Sequence, residues 1–269
     1  MTWQKDIEIF CTHYNIPVEY LASTLNEPKV VPMIRGKAFE FSVLKKLKEL
    51  LPTSKWNVQK NLVNAQLGSH DEDVAIIHKE SKTRSSVECK LAGKGRFKKL
   101  HNGDFVINVK CMRSRTLGEN IVRRLAPQLG ITEKLLNIHN DQYRFNDFDF
   151  VVTSIGNAFY ETDDDGLFYW SPKESGINFL TRLFDTDDQD TLQKLAFDKM
   201  YITSSKNLSV GNGFHTCSRK KCPKPKKCGF IPNYPSINFN AGTLLPTNGW
   251  VPIEEVEGFI LSVLSKRNR

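Results

Sequence analysis

The sequence predicts an α/β protein in which helices flank a central mixed sheet. Three features support this prediction: a strongly periodic helix at 36–51, short strand-like segments between 56 and 112, and the apolar run FDFVVTSI at 148–155, which follows a helical stretch. Helices and strands that alternate in this way are typical of a sheet covered by helices. The chain has 269 residues, of which 39% are apolar, so it is long enough for one large domain or two small ones.

The first elements of the chain are predicted to be helical. Residues 5–14 and 17–26 each read as a short helix, and the pair is either a packed hairpin or a helix-turn-helix DNA reader. The segment 36–51 repeats apolar residues at the helical period, which indicates a helix that packs on the core. Glu40 falls on or near this apolar stripe, where a carboxylate is costly unless it is paired or bound to a metal.

Short strands and further helices are predicted to follow. Asp165 and Gly166 are suited to the turn of a hairpin between two aromatic-rich segments. Residues 206–249 are rich in Gly, Pro, Asn and Lys and show little periodicity, so a loop-rich C-terminal region is expected. Strands are predicted at 56–63, 73–78, 85–91, 105–112 and 148–155, and helices at about 117–138, 189–197 and 253–265.

The charge balance of the chain is basic. There are 38 basic and 30 acidic residues, a formal net charge of +8, which favours a polyanion such as nucleic acid as a partner or simply provides solubility. No stretch approaches the ~18 consecutive apolar residues of a membrane span, and the first residues do not form a signal peptide. We therefore expect no membrane partner and a reducing cytoplasm, in which the six cysteines do not form disulfides.

One predicted strand carries an acidic and a basic side chain on the same face. Glu88 and Lys90 are two residues apart in the segment SSVECKL, so they point to the same side of the strand. Asp73 opens the preceding strand, and a short turn can bring it beside Glu88. Two carboxylates about 4 Å apart repel each other by about 4 kcal/mol at an effective dielectric constant of 20. Lys90 offsets part of this repulsion, and a divalent cation would offset the rest.

These charges are suited to the hydrolysis of a phosphodiester. Carboxylate oxygens are ligands for Mg²⁺, which binds a phosphate oxygen and acidifies a bound water. Lys90 can orient or deprotonate the attacking water, or stabilise the charge that grows on phosphorus. Lys94 and Arg96 lie in the following segment, which is expected to be a basic loop that holds neighbouring phosphates. The alternative is a surface ion pair without a function.

The arrangement resembles the PD-(D/E)XK nuclease superfamily, the fold of most type II restriction endonucleases. The resemblance covers roughly residues 36–112: Asp73 opens one strand, Glu88-Cys89-Lys90 follows fifteen residues later, and the upstream helix carries Glu40. It implies that Asp73 and Glu88 bind Mg²⁺, that Lys90 is the catalytic lysine and that Glu40 is a secondary carboxylate.

The sequence departs from the superfamily pattern at one position. Glu72 stands where the superfamily has a proline before the first acid, and Asp71 lies on the same face of the predicted strand as Asp73. Either Asp71 or Asp73 can therefore be the first acid.

The resemblance also implies an organisation and a function. A restriction-endonuclease-like catalytic core is expected at 31–170, after an N-terminal helical segment at 1–30 and before a DNA-recognition region at 171–269, unless the whole chain is one compact domain. The implied activity is that of a Mg²⁺-dependent type II restriction endonuclease, which hydrolyses double-stranded DNA at a specific short sequence in a prokaryotic cytoplasm. A homodimer is expected, because a two-fold protein matches a palindromic site.

Other functions remain open at this point. A nuclease of the same fold could act in repair or recombination without a fixed recognition sequence. A DNA-binding regulator with a zinc-stabilised basic arm would bind DNA with steep salt dependence and leave it intact. An RNA-binding protein is a third alternative, although no aromatic pattern of the RNP type supports it.

Two further segments contain candidate DNA contacts. Lys110, Arg113 and Arg115 follow a predicted strand and either meet DNA or form a solvated strand end. The segment FHTCSRKKCPKPKKCGF at 214–230 carries six basic residues, among them Arg219, Lys220 and Lys221.

The same segment contains candidate zinc ligands. His215, Cys217, Cys222 and Cys228 could bind Zn²⁺ tetrahedrally, and a metal would stabilise a segment with few apolar residues. The neighbouring cations are expected to lower the pKa of the three thiols. The alternative is a flexible basic loop that becomes ordered on DNA, in which the cysteines have no role.

Overall fold

The structure is a computed structural model that describes residues 2–60 and 72–266. Its α-helices are α1 Trp3–His13, α2 Leu21–Leu25, α3 Val31–Leu50, α4 Glu119–Gln128, α5 Glu133–Ile138, α6 Glu174–Phe184, α7 Gln189–Asp198, α8 Ser205–Leu208 and α9 Val256–Ser265. Its strands are β1 Trp56–Gln59, β2 Val74–His78, β3 Arg84–Cys89, β4 Ala92–Lys99, β5 Phe105–Val109, β6 Phe150–Ser154, β7 Tyr160–Thr162, β8 Phe168–Trp170, β9 Met200–Ser204, β10 Ser236–Phe239 and β11 Val251–Pro252.

The main sheet has the strand order β1-β2-β3-β6-β9-β11. Strand β3 pairs with β6 in parallel, whereas the other neighbouring pairs are antiparallel, so the sheet is mixed. A second sheet of three strands has the order β10-β5-β4, and β7 and β8 form a hairpin. The α/β class and the mixed sheet predicted from the sequence are therefore confirmed.

Apolar side chains cover both faces of the main sheet. On one face, α3 and α9 contribute Phe39, Leu47 and Ile260, which pack against strand residues such as Ile76 and Phe150. On the other face, α6, α7 and the three-stranded sheet enclose a second apolar cluster. The central strands β6 and β9, in which every residue is buried, thus lie between two layers, as expected for strands with near-continuous apolar runs.

Several predicted elements are confirmed, one predicted helical stretch differs in detail, and one helix was missed. The two N-terminal helical segments, the long helix α3, the hairpin at Asp165-Gly166 and the last helix all form. The predicted helical stretch 117–138 is divided into α4 and α5, and α6 was not predicted. The predicted strand 56–63 forms as far as Gln59, and its last residues lie outside the described ranges.

The basic segment after residue 91 is a strand, not the expected loop. Its residues form β4, which pairs with β5 and has a register irregularity between Ala92 and Phe97. Gly95 supports this irregularity with a positive φ of 63°. Partly buried Phe97 packs against the aromatic rings of Phe105, Phe159 and Phe179, and this contact favours the strand over a loop.

The expected division of the chain at residue 170 stays a prediction. Strands β9 and β11 come from the region predicted to recognise DNA, yet they lie in the same sheet as β2 and β3. A third apolar cluster joins α4 and α5 to the cysteine-rich segment through Val122, Leu136, Cys222, Cys228 and Phe230.

Among the described helices, we find none with the length and apolar content that a bilayer crossing requires.

Candidate active site and metal centre

Strand pairing brings the predicted acids together. In the antiparallel pair β2–β3, Val74 lies opposite Val87, so the next position of the ladder sets Asp73 opposite Glu88. Val74 and Val87 both point into the cluster under α3, and the alternation of side chains then directs Asp73 and Glu88 to the other face. Both carboxylates are buried, with exposures of 8% and 6%. The register therefore produces the convergence of acids that the sequence predicted.

Glu88 is held by two donors. The Nζ of Lys90 lies 2.6 Å from Glu88 Oε1, and the hydroxyl of Tyr143 donates a hydrogen bond of 2.8 Å to the same oxygen. Lys90 also lies over the Tyr143 ring, 5.4 Å from its centroid. Glu88 and Lys90 thus share one face as predicted, whereas Tyr143 was missed, because it lies 55 residues away in sequence.

Glu40 approaches the same region from helix α3. Its carboxylate is 7% exposed and forms ion pairs with Lys37, at 2.9 Å, and with Lys60. Lys60 also donates a 3.2 Å hydrogen bond to the backbone carbonyl of Asp73 and so connects α3 to the start of β2. Lys60 was not predicted as a site residue. The predicted position of Glu40 on the buried stripe is observed, and its charge is compensated by lysines.

The Asp73 carboxyl has an altered acidity. Burial and the neighbouring Glu88 carboxylate raise the pKa of Asp73 from 3.8 to about 7, and Glu40 adds to this effect. The Lys90 ammonium and a 2.8 Å hydrogen bond from the Cys89 backbone N–H to Asp73 Oδ2 act in the opposite direction. The ionised form of Asp73 is therefore disfavoured until a further cation arrives or the pH exceeds neutrality. Asp71, the alternative first acid, lies outside the described residues.

Lys90 remains protonated in this environment. Burial alone would lower the pKa of Lys90, but Glu88, Tyr143 and Asp73 together outweigh burial and raise this pKa above its usual value. Burial and Glu88 likewise raise the pKa of Tyr143, so its phenol stays a neutral donor. At neutral pH the site thus contains a fixed ammonium and a neutral hydroxyl around the Glu88 carboxylate.

The predicted DNA contacts on β4 take part in ring contacts. Lys94 lies over Phe168, 4.2 Å from the ring centroid, and Arg96 lies over Tyr234, 4.8 Å away. Both side chains belong to exposed positions of the strand. Their assignment to DNA stays a prediction.

The other predicted contacts divide into exposed and internally bonded side chains. Arg113 forms an ion pair with Asp147 and donates a 3.1 Å hydrogen bond to the Gln142 carbonyl. Arg219 forms an ion pair with Asp141. These two arginines already have structural partners, whereas the exposed basic residues are Lys110, Arg115, Lys220 and Lys221.

Three cysteines and one histidine form a compact cluster. The ligand atoms of His139, Cys217, Cys222 and Cys228 all lie within 4.8 Å of one another. Such a His/Cys₃ set could bind a metal such as zinc.

The histidine of the cluster differs from the one predicted as a zinc ligand. His215 is not part of the described cluster, and its place is taken by His139 at the end of α5. Burial lowers the pKa of His215 to about 4, which makes it a neutral, partly buried side chain. No sequence spacing connects His139 to the cysteines, which begin 78 residues later, and only the packing of the loop on α5 joins them.

The expected lowering of the thiol pKa values is wrong for Cys217 and Cys228 in the metal-free protein. Burial raises the pKa of Cys217 above its usual value, and burial together with the Cys217 thiol raises the pKa of Cys228 to about 12. The lysines of the segment point to solvent while the thiols point inward, so the cations do not act on the sulfurs as their proximity in sequence suggested.

Comparisons with protein families, with characterised proteins and with solved structures find no match to this chain.

Proposed function

We propose that the chain is a Mg²⁺-dependent DNA endonuclease of the restriction type, with a PD-(D/E)XK-like active site on strands β2 and β3. The observation that supports this proposal most directly is the position of Asp73 opposite Glu88, with Lys90 bonded to Glu88. Buried acids of this kind are unfavourable for stability, and groups with shifted pKa values are concentrated at functional sites.

The donor set fits a hard divalent cation. Asp73 and Glu88 supply carboxylate oxygens, and burial together with the neighbouring Glu88 carboxylate raises the pKa of Asp73, an electrostatic cost that a bound cation would relieve. When bound, Mg²⁺ would supply Lewis acidity toward a phosphate oxygen and a bound water. Asp73 must lose its proton before it can contribute to such a site.

Lys90 is better suited to stabilise charge than to remove a proton. Because its pKa is raised by Glu88, the ammonium is present throughout the physiological range. A positioned ammonium can orient the attacking water and stabilise the negative charge that develops on phosphorus. Glu88 and Tyr143 fix the direction of Lys90, through the ion pair and the ring contact respectively.

DNA binding in this proposal depends on the exposed basic residues. Lys110, Arg115, Lys220 and Lys221 are free to reach the phosphate backbone without breaking a described ion pair. We also propose a homodimer that acts on a palindromic site, which sedimentation of the free protein and of the DNA complex would test.

The deciding experiment is incubation with unmethylated phage DNA, with Mg²⁺ and without it. Discrete fragments are expected only with Mg²⁺. Asp73→Ala and Lys90→Ala should abolish cleavage while DNA binding survives. Glu72→Ala is the matched control, because Glu72 is the adjacent carboxylate and pairs with Arg84 at the surface. Full cleavage by either active-site variant would remove the assignment.

A second candidate is a DNA-binding regulator without catalysis, which the His139–cysteine cluster beside exposed lysines favours. Such a protein would retard DNA in gels with steep salt dependence and would leave it intact in Mg²⁺. A repair or recombination nuclease of the same fold would instead give a smear or structure-dependent cuts in place of discrete bands.

A further inference from the structure

The His/Cys₃ cluster has the dimensions of a tetrahedral zinc site. With Zn–S bonds of about 2.3 Å, tetrahedral ligands are separated by about 3.8 Å. The four ligand atoms of the cluster lie within 4.8 Å of one another, so small rotations of the side chains are enough to close them around one ion. All six cysteines are free thiols, so no disulfide consumes the three sulfurs.

The orientation of His139 is an independent observation that indicates a ligand. Its side chain is fully buried, and Nδ1 lies in hydrogen-bond contact with Oε1 of Gln142. This contact places the ring proton on Nδ1 and leaves a lone pair on Nε2. Among the described residues, Nε2 has no hydrogen-bond partner. A buried acceptor without a partner is costly, and a metal ion satisfies it.

Neighbouring residues hold the ring in this orientation. The His139 ring stacks on Phe230 with centroids 4.2 Å apart and an angle of 7° between the planes.

Arg219 donates its backbone N–H to Cys217 Sγ at 3.4 Å, and its guanidinium pairs with Asp141. Asp141 in turn accepts a 2.7 Å hydrogen bond from Asn233. Hydrogen bonds behind and beside the ligands are typical of metal sites that evolved to bind.

The chain around the cysteines is irregular and contributes few buried side chains. Residues 214–228, which we call the cysteine loop, form no helix or strand in the structure. The loop residues that enter the third apolar cluster are the three cysteines, while its lysines are exposed.

From these observations we infer that His139, Cys217, Cys222 and Cys228 bind one structural zinc ion, which fixes the cysteine loop against α5. Four protein ligands complete a tetrahedron, so no position is open for water, and the site is structural rather than catalytic. Three thiolates and one neutral imidazole leave the zinc complex with a net charge of −1. Exposed lysines of the loop, such as Lys221 and Lys227, lie on the same short segment and are presented in a fixed arrangement by the bound ion.

Metal analysis of the full-length protein is the first test. Protein expressed in zinc-supplemented medium and passed over a chelating resin should retain about one zinc per chain. Replacement by Co²⁺ should give thiolate-to-cobalt charge-transfer absorption and the intense visible bands of a tetrahedral site. Zinc far below one per chain together with the absence of these bands would overturn the inference.

A pair of histidine variants identifies the fourth ligand. His139→Asn should weaken zinc binding by more than about 100-fold, because even neighbours of metal ligands cost 10–100-fold when replaced. His215→Asn is the matched control, because His215 is a partly buried histidine two residues from Cys217 but outside the cluster, and it should retain zinc and the cobalt spectrum. The opposite result, loss of zinc binding in the His215 variant alone, would show that His215 is the fourth ligand, as the sequence predicted.

Proteolysis tests the structural role without relying on a variant that folds. Removal of zinc from the wild-type protein with a strong chelator should make the bonds after Lys221 and Lys227 sensitive to trypsin, while fragments containing the main sheet survive. Addition of zinc should restore resistance. Unchanged trypsin sensitivity of the loop on chelation would contradict a structural ion. These tests use no DNA, so their outcome is independent of the proposed nuclease activity.

Discussion

Replacement of Asp73 by asparagine should stabilise the protein, and more strongly at high pH than at low pH. Asparagine has nearly the same shape and can accept the hydrogen bond from the Cys89 N–H, but it has no charge. When folding raises the pKa of a carboxyl, the group stabilises the folded protein at pH values below the pKa of the unfolded state. This stabilisation is lost as the pH rises through the pKa of the folded state. For Asp73 this stabilising contribution is lost between about pH 4 and pH 7.

The size of the effect follows from the raised pKa. Folding changes the pKa of Asp73 from 3.8 to about 7. One pH unit corresponds to about 1.4 kcal/mol, so the difference between the folded and unfolded pKa of Asp73 lowers the free energy of unfolding, relative to its value at low pH, by about 2 kcal/mol at pH 5 and by about 4 kcal/mol at pH 8. The advantage of Asp73→Asn over the wild type should therefore grow by about 2 to 3 kcal/mol between these two pH values.

Urea denaturation at pH 5 and pH 8 measures this difference. The buffers contain no Mg²⁺ and no chelator, so that metal at the cysteine cluster is retained. Comparison of the two pH values cancels any effect of the asparagine amide that does not depend on pH. Glu72→Gln is the control, because Glu72 pairs with Arg84 near the surface and should show little pH-dependent change. An advantage of Asp73→Asn that is the same at both pH values would refute the reasoning.

Three further predictions follow from single contacts. Tyr143→Phe removes the hydroxyl that donates to Glu88 and should lower the free energy of unfolding by about 1 to 3 kcal/mol, measured by urea denaturation. Lys221→Ala should leave the melting temperature unchanged and reduce the salt dependence of DNA binding by about one counterion. Arg219→Ala should lower the melting temperature because Asp141 loses its ion-pair partner. Leu47→Ala creates a cavity under α3 and should cost about 2 to 5 kcal/mol, and a cost below 1 kcal/mol would contradict its full burial.

Local patterns were sufficient to predict the arrangement of the three charged residues. The period of two along β3 put Glu88 and Lys90 on one face, and the apolar run after Asp73 marked the start of β2. The turn between these strands is short, so their antiparallel pairing was constrained by chain connectivity. The helical period of α3 likewise placed Glu40 among buried residues.

Predictions based on composition alone were less successful. The basic segment with Gly93 and Gly95 was expected to be a loop, but it pairs with β5 as a strand and packs the partly buried Phe97 ring on the core. The cysteine loop was expected to have acidic thiols because lysines surround them in sequence. In the folded chain the two kinds of side chain point in opposite directions, and the sequence does not specify this separation.

The amino-acid sequence by itself determined the helical and extended segments and the meeting of two acids and a lysine on neighbouring strands, because these depend on periodicity and on short connections. Only the tertiary structure decided that Tyr143 and Lys60 complete the acidic site and that His139, not His215, joins the cysteines. Such partners are brought together by the burial of distant apolar surfaces, and no local spacing in the chain records which surfaces will meet.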